Sequence, residues 1–164
     1  MLLARPALSG DGRRLAPELR PADLSEIRAV TGEEPSAALE RCIAWSSPCY
    51  GFEDEGGNLV LLVGVVPDPA EEDVGTIWLM ASGALTRHSV HFLRLSRPWV
   101  EKLHGRYRVL WNYVDARNEV HIRWLKWCGF TVLQRVEEYG IERRPFYEFE
   151  KVRRAPRRPK MAMS

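Results

Sequence analysis

The sequence predicts a layered α/β fold, and three observations carry that prediction. A strand runs directly into a complete helix: Val109, Trp111 and Tyr113 alternate with Leu110, Asn112 and Val114, so both faces of the strand are largely apolar, as expected inside a sheet. Asn118 then offers an N-cap and Gly129 a stop, with Glu119 and Lys126 placed to suit the helix dipole. Two further strongly apolar strands are legible at 59–66 and 74–81. Between these strands and the strand at 109 lies a second amphipathic stripe, Phe92, Leu95, Trp99 and Leu103. Helices interleaved with strands in this way predict a mixed central sheet of about six to seven strands flanked by about four helices.

Taken in order, residues 1–18 have mixed polarity and a turn at Gly10, Asp11 and Gly12, which predicts at most one edge strand. Asp23 followed by Glu26 reads as a capping box opening a short helix with Leu24, Ile27 and Val30 on one face, closed by Gly32. Pro35 suits the first turn of the next helix, with Leu39, Cys42, Ile43 and Ser46 on one face. A strand at 49–53, a turn at 54–58 and the apolar run at 59–66 form a hairpin, and an acidic, Pro-containing loop leads to the strand at 74–81. Thr86 is placed to cap the following helix, which Pro98 should kink or split. In the helix from Asn118, Val120, Trp124 and Trp127 share one stripe, extended by Ile122, Leu125 and Cys128, opposite Glu119, Arg123 and Lys126. Strands at 131–138 and 146–152 complete the domain.

A length of 164 residues and 45% hydrophobic content suit a single domain with a substantial core. We assign residues 1–152 to that domain and 153–164 to a basic, Pro-rich tail. Three cysteines without C-x-x-C spacing argue against a disulfide framework and for synthesis in a reducing cytoplasm. No apolar run is long enough to span a bilayer, and no secretion signal is expected. The net charge of +2 hides an asymmetry. Lys151, Arg153, Arg154, Arg157, Arg158 and Lys160 carry positive charge with no acid among them, leaving an acidic body. Such a segment is a candidate contact for an acidic protein surface or, non-specifically, for nucleic acid.

Several side chains are candidates for chemistry. Asp115, ending an interior strand, could serve as a general base or simply pair with Arg117. His88 and His91 are spaced to share a helix face, but no acid or cysteine nearby completes a metal site. His104 and His121 read as partly exposed helix positions. Ser82 and Ser89 lack a nucleophile elbow, and Cys128 falls on the packed side of its helix.

The element order resembles the GNAT fold of acyl-CoA-dependent N-acyltransferases, with the Leu-Arg-Pro-Ala-Asp opening at Leu19 and Asn118 standing eleven residues before Gly129-Phe130. The runs Gly-Thr-Ile-Trp-Leu-Met-Ala-Ser, Arg-His-Ser-Val-His-Phe-Leu-Arg-Leu-Ser-Arg-Pro-Trp-Val and Val-Asp-Ala-Arg-Asn-Glu-Val-His-Ile-Arg-Trp-Leu-Lys-Trp-Cys-Gly-Phe resemble tailed-phage proteins called internal virion protein A, a GNAT-related group. The resemblance covers roughly residues 15–150. It implies a GNAT-like sheet and a phage origin, with synthesis in the host cytoplasm and a place in the virion. It also implies association with other phage components.

The same resemblance implies where acetyl-CoA would sit if it binds: along the strand at 74–81, with Met80, Ala81, Ser82, Gly83, Ala84 and Leu85 as the phosphate-binding turn and Asn118 beside it. In catalytic relatives that turn carries an Arg/Gln-x-x-Gly-x-Gly/Ala run, and here it has one glycine and no Arg or Gln in register. Catalytic relatives also place a tyrosine four residues before the Gly-Phe glycine as the acid for the departing thiolate. Leu125 stands there and cannot donate a proton. The sequence therefore favours a GNAT-fold phage protein that acts by association, with an acyl-CoA-dependent N-acyltransferase of a protein or small-molecule amine as the alternative.

Overall fold

In the computed structural model, which describes residues 1–154, seven strands form one sheet in the order β1-β2-β3-β4-β5-β7-β6. They are β1 (Leu3–Pro6), β2 (Cys49–Glu53), β3 (Leu59–Pro67), β4 (Val74–Ala81), β5 (Val109–Asp115), β6 (Thr131–Tyr139) and β7 (Arg144–Val152). The helices are α1 (Asp11–Leu15), α2 (Pro21–Val30), α3 (Pro35–Trp45), α4 (Ser89–Leu103) and α5 (Glu119–Trp127). The mixed sheet with helices on both faces agrees with the class expected from sequence.

Each face of the sheet has its own core, because alternate residues of a strand point to opposite sides. Leu59, Leu62 and Trp78 join Leu15, Ile27 and Leu39 beneath α1, α2 and α3. Leu61, Val63, Ile77 and Leu79 join Val100, Leu103, Leu125 and Cys128 beneath α4 and α5.

All neighbouring strands are antiparallel except β4 and β5, and this exception positions the site. They pair in parallel over only three registers, Val74 with Val109, Gly75 with Leu110 and Thr76 with Trp111. Beyond Thr76 the two strands part, and the gap between their C-terminal halves is a wedge. The β6–β7 hairpin closes against the N-terminal half of the chain: Ile141 and Glu142 N–H groups donate to the Val30 and Ala29 carbonyls at 3.3 and 3.1 Å. Gly140 makes that approach possible, since its φ is +72° and a Cβ there would overlap the Ala29 carbonyl.

Four local expectations are corrected. Asp23 does not cap α2: the helix begins two residues earlier at Pro21, and Asp23 is buried within it. Thr86 does not cap α4: Ser82 caps a 3-10 turn over Gly83–His88, and the Thr86 hydroxyl donates to the Gly83 carbonyl. Pro98 does not split α4, which runs unbroken from Ser89 to Leu103. The N-terminal segment holds α1 and a 3-10 turn at Ala16–Glu18 in addition to the edge strand. Asp11 anchors that corner, its carboxylate accepting from the Arg5 guanidinium at 2.7 and 3.0 Å and from the Leu8 N–H at 2.8 Å.

Candidate functional site

The wedge is bridged by the chain's own groups. Asn112 Nδ2 donates to the Ile77 carbonyl at 2.8 Å, a side chain standing in for a lost rung of the β4–β5 ladder. At the end of β4, both polar groups of Ala81 that face away from β3 are taken. Its N–H donates to Asp23 Oδ2 at 2.9 Å, and its carbonyl accepts from the Arg20 N–H at 2.9 Å. Between these positions, the two-residue period of the strand turns the backbone N–H and C=O of Leu79 into the gap.

From the β5 side, the Asp115 N–H donates to Glu26 Oε1 at 2.8 Å. Asp23 and Glu26, read from sequence as a capping box, are thus two prongs of α2 that enter the wedge and bind one strand each. Glu26 is only 7% exposed and forms no ion pair among the described residues. Burial raises its carboxyl to about 7, against the lowering effect of the Asp115 N–H. His121 faces the same space from α5: its Nδ1 is buried without a partner, and burial pulls the ring down to about 4, so it is neutral. His121 keeps some exposure as a residue, but it is the enclosed nitrogen that governs its charge. Glu26, Asn112, Tyr113, His121 and Trp124 line a half-open cavity of about 40 Å³, large enough for a water.

A larger groove, about 450 Å³, adjoins the wedge between α4 and α5, sharing Leu79, His121 and Trp124 with the small cavity and walled further by Leu85, Phe92, Leu93, Val120 and Trp127. Trp124 is fixed from both sides, stacked on Phe92 at a centroid distance of 5.5 Å and donating through Nε1 to Ser96 Oγ at 2.9 Å. Arg97 covers the far end, its guanidinium 3.7 Å from the Trp127 ring centre and its Nε donating to the Trp127 carbonyl.

The residues singled out from sequence fall into different places. The Asp115 carboxylate is held bidentately by Arg117, at 3.0 and 2.7 Å, and also accepts the Arg117 N–H. Burial would raise its pKa, yet the Arg117 hydrogen bonds outweigh burial and hold it below the usual carboxylate range. A carboxylate so committed is a poor proton acceptor. Asn118 caps α5 through Oδ1, at 3.4 Å from the His121 nitrogen, and its buried Nδ2 has no partner. Met80 lines the small cavity and Leu85 the groove. Ser82 Oγ accepts the Ala84 N–H at 3.3 Å, so part of the expected phosphate cradle is spent on its own cap. Gly83 faces open space.

Leu125, at the position of the missing acid, is 2% exposed and belongs to the core. The stripe expected on α5 is rotated: Leu125 and Cys128 face the sheet, whereas Val120 and Trp127 are 60% and 46% exposed along the groove. Cys128 is pushed up to about 12 by burial and stays a thiol. His104 is buried, not partly exposed, with Nδ1 against the Tyr107 carbonyl at 2.9 Å. His91 Nδ1 accepts the Leu2 N–H, and no cluster of three or more metal-binding side chains occurs among the described residues.

Of the basic C-terminal set, Lys151 lies in β7 and pairs with Glu101 at 2.9 Å. The Arg153 N–H donates to the Arg108 carbonyl and its guanidinium to the His104 carbonyl. Both act within the folded domain. Arg154 is exposed, and Arg157, Arg158 and Lys160 lie outside the described residues. No helix among the described residues is long and apolar enough to cross a membrane.

Comparison with known proteins places the fold. The GCN5-related N-acetyltransferase from Kribbella flavida superposes with a TM-score of 0.67 at 16% identity, over 92% of this chain and 97% of that one. The spermidine N-acetyltransferase from Vibrio cholerae, solved in complex with CoA and spermine, gives 0.66 at 17% identity, over 92% and 95%. A GNAT-family acetyltransferase from Streptococcus pneumoniae gives 0.61 at 18% identity, over 93% and 99%. The fold is therefore that of the GNAT acetyltransferases. Residues 71–137 match the model of a family described as Bacteriophage T7, probable scaffold protein Gp13. No curated protein matches the chain.

Proposed function

With a GNAT fold as the premise, we propose that this chain is a phage assembly component that works by binding other phage proteins and not by acyl transfer. The observation that carries the proposal is the closure of the wedge. The Ala81 peptide beside which acetyl-CoA would run is hydrogen-bonded to Arg20 and Asp23, and the space left beside Glu26 is about 40 Å³. The match over residues 71–137 supports the phage context, because that span runs from the loop before β4 into β6 and includes both walls of the groove. On this reading the chain is made in the host cytoplasm and taken into the particle, as an internal or ejected virion protein or as an assembly factor. Of the basic tail on this single domain, Arg154, Arg157, Arg158 and Lys160 add contacts to acidic protein surfaces.

Acyl transfer is the second reading, favoured by one observation: the Leu79 peptide is turned towards the gap, and Glu26 faces the same space. Acetyl-CoA would then lie along the groove, near Leu85 and Asn118. The acceptor amine would attack the thioester carbonyl, forming C–N and breaking C–S. Its proton would pass to Glu26 or water, and the thiolate would leave without an acid from Leu125.

Calorimetry with acetyl-CoA separates the two. No heat of binding at 1 mM ligand is expected. A Kd below about 100 μM, roughly −5.5 kcal/mol, would overturn the binding-only reading. Mass spectrometry of purified particles should find the chain if the assembly role holds.

A further inference from the structure

The assembly reading leaves open which surface is used, and the α4–α5 groove answers best. Its walls expose large apolar side chains without a covering element: Leu93 is 42% exposed, Val120 60% and Trp127 46%, and Val90 at 63% continues the strip along α4. A volume of about 450 Å³ lies in the range of ligand pockets, about 300–1,000 Å³, so size does not select the occupant. Its walls come from two helices, and apolar side chains on such walls can take the apolar face of another helix through side chains at i, i+3 or i+4, and i+7.

The charge around the groove selects the partner. From Gly83 to Val100 there is no acidic residue, while Arg87, Arg94 and Arg97 are exposed. Arg20 and Arg123 line the groove itself, and the one acid on α5 is Glu119 at its start. This basic collar stands on a body whose charge outside the C-terminal segment is acidic. Complementary potential sets partner choice and association rate more than raw affinity, so the collar favours acids flanking the apolar anchors.

Resting on the assembly reading, we infer that the α4–α5 groove docks an acidic amphipathic helix of another phage assembly protein, seating its apolar face against Leu93, Val120 and Trp127. Carboxylates on the rims of that helix meet Arg94, Arg97 and Arg123, whereas Arg20 is already paired with Asp23.

The test uses the full chain and a synthetic 16-residue helix with leucines at i, i+3, i+4 and i+7 and glutamates elsewhere on its faces, followed through Trp124 and Trp127 fluorescence. Saturable binding is expected, weakened about fivefold or more between 50 and 300 mM salt. It should fall about tenfold in Leu93→Glu and in Val120→Glu, both at exposed positions, with unchanged thermal melts. A lysine version of the peptide should not bind. Equal binding of the lysine peptide, no binding of the acidic one, or unchanged binding by Leu93→Glu would each overturn the inference. So would saturable binding of dodecanoate or acetyl-CoA in place of the peptide, or self-association abolished by Leu93→Glu. In particles, wild type present but Leu93→Glu lost supports the inference. Equal incorporation of both overturns the groove alone, and absence of wild type overturns the assembly reading with it.

Discussion

Asp23 and Glu26, one turn apart on α2, each accept a backbone N–H from a different strand of the wedge: Asp23 from Ala81 at the end of β4, Glu26 from Asp115 at the end of β5. One helix thus holds both sides of the parallel β4–β5 seam. Removing the first prong by Asp23→Ala leaves the buried Ala81 N–H without an acceptor. The expected loss is about 1–3 kcal/mol in urea unfolding, with Asp23→Asn, which keeps an acceptor, losing less. Equal losses in the two variants would show that charge, not the hydrogen bond, is what matters.

The two buried titrating groups give opposing pH dependences. Glu26 is an acid whose folded value, about 7, lies above its ordinary 4.5, so the folded state holds the proton more tightly and stability falls as pH rises from about 4.5 to 7. His121 is a base depressed from 6.5 to about 4, so its contribution is full above about 6.5 and is lost as pH falls towards 4. Wild-type stability should therefore vary little with these groups between about 4.5 and 6.5. Glu26→Gln should remove the falling limb, gaining on the order of 2–3 kcal/mol over wild type at pH 8 and nothing at pH 4. Urea midpoints across that range check it, and a gain independent of pH would contradict the assigned burial of charge.

Restoring a phenol at position 125 should not restore chemistry. Leu125 is enclosed beneath α5, so Leu125→Tyr must force a larger side chain into a filled core. It should cost about 1–3 kcal/mol and yield no free thiol from acetyl-CoA in a thiol-release assay.

Gly140→Ala should loosen the hairpin's hold on α2. A positive φ and overlap with the Ala29 carbonyl together predict a loss of about 1–3 kcal/mol, and hydrogen exchange should quicken at Ile141 and Glu142 before the rest of β6 and β7.

Truncation after Arg154 should leave the melting temperature unchanged while reducing the salt dependence of partner binding. Truncation after Glu150 should also destabilise the domain, because it removes the Lys151–Glu101 pair and both Arg153 hydrogen bonds. Identical melting temperatures for the two truncations would sink this assignment.

Much of the fold was legible because local signals and tertiary structure agree. The strand at 74–81, Asn118 as a cap and Gly129 at φ +92° as a stop stand where the sequence puts them. The site was less legible, because its parts carry ordinary local disguises. Asp23 and Glu26 at i, i+3 look like a capping box, and only the approach of β4 and β5, far along the chain, turns them into bridges between strands. Val120 and Trp127 look like core on helical spacing. Their exposure depends on how α5 is rotated over the sheet, which periodicity fixes only to within a face. Asp115 and Arg117 are the opposite case: their neighbourhood in sequence already suggested the ion pair that the structure contains.

The short β4–β5 seam also divides the molecule for folding. Three parallel registers join a four-stranded N-terminal half to a three-stranded C-terminal half, each knit internally by longer antiparallel ladders. Such halves are natural cooperative units, and α2, made early in synthesis, cannot complete its role until β5 emerges from the ribosome. Glu26 is buried only where the two halves meet, so the burial of that carboxyl depends on both halves being in place.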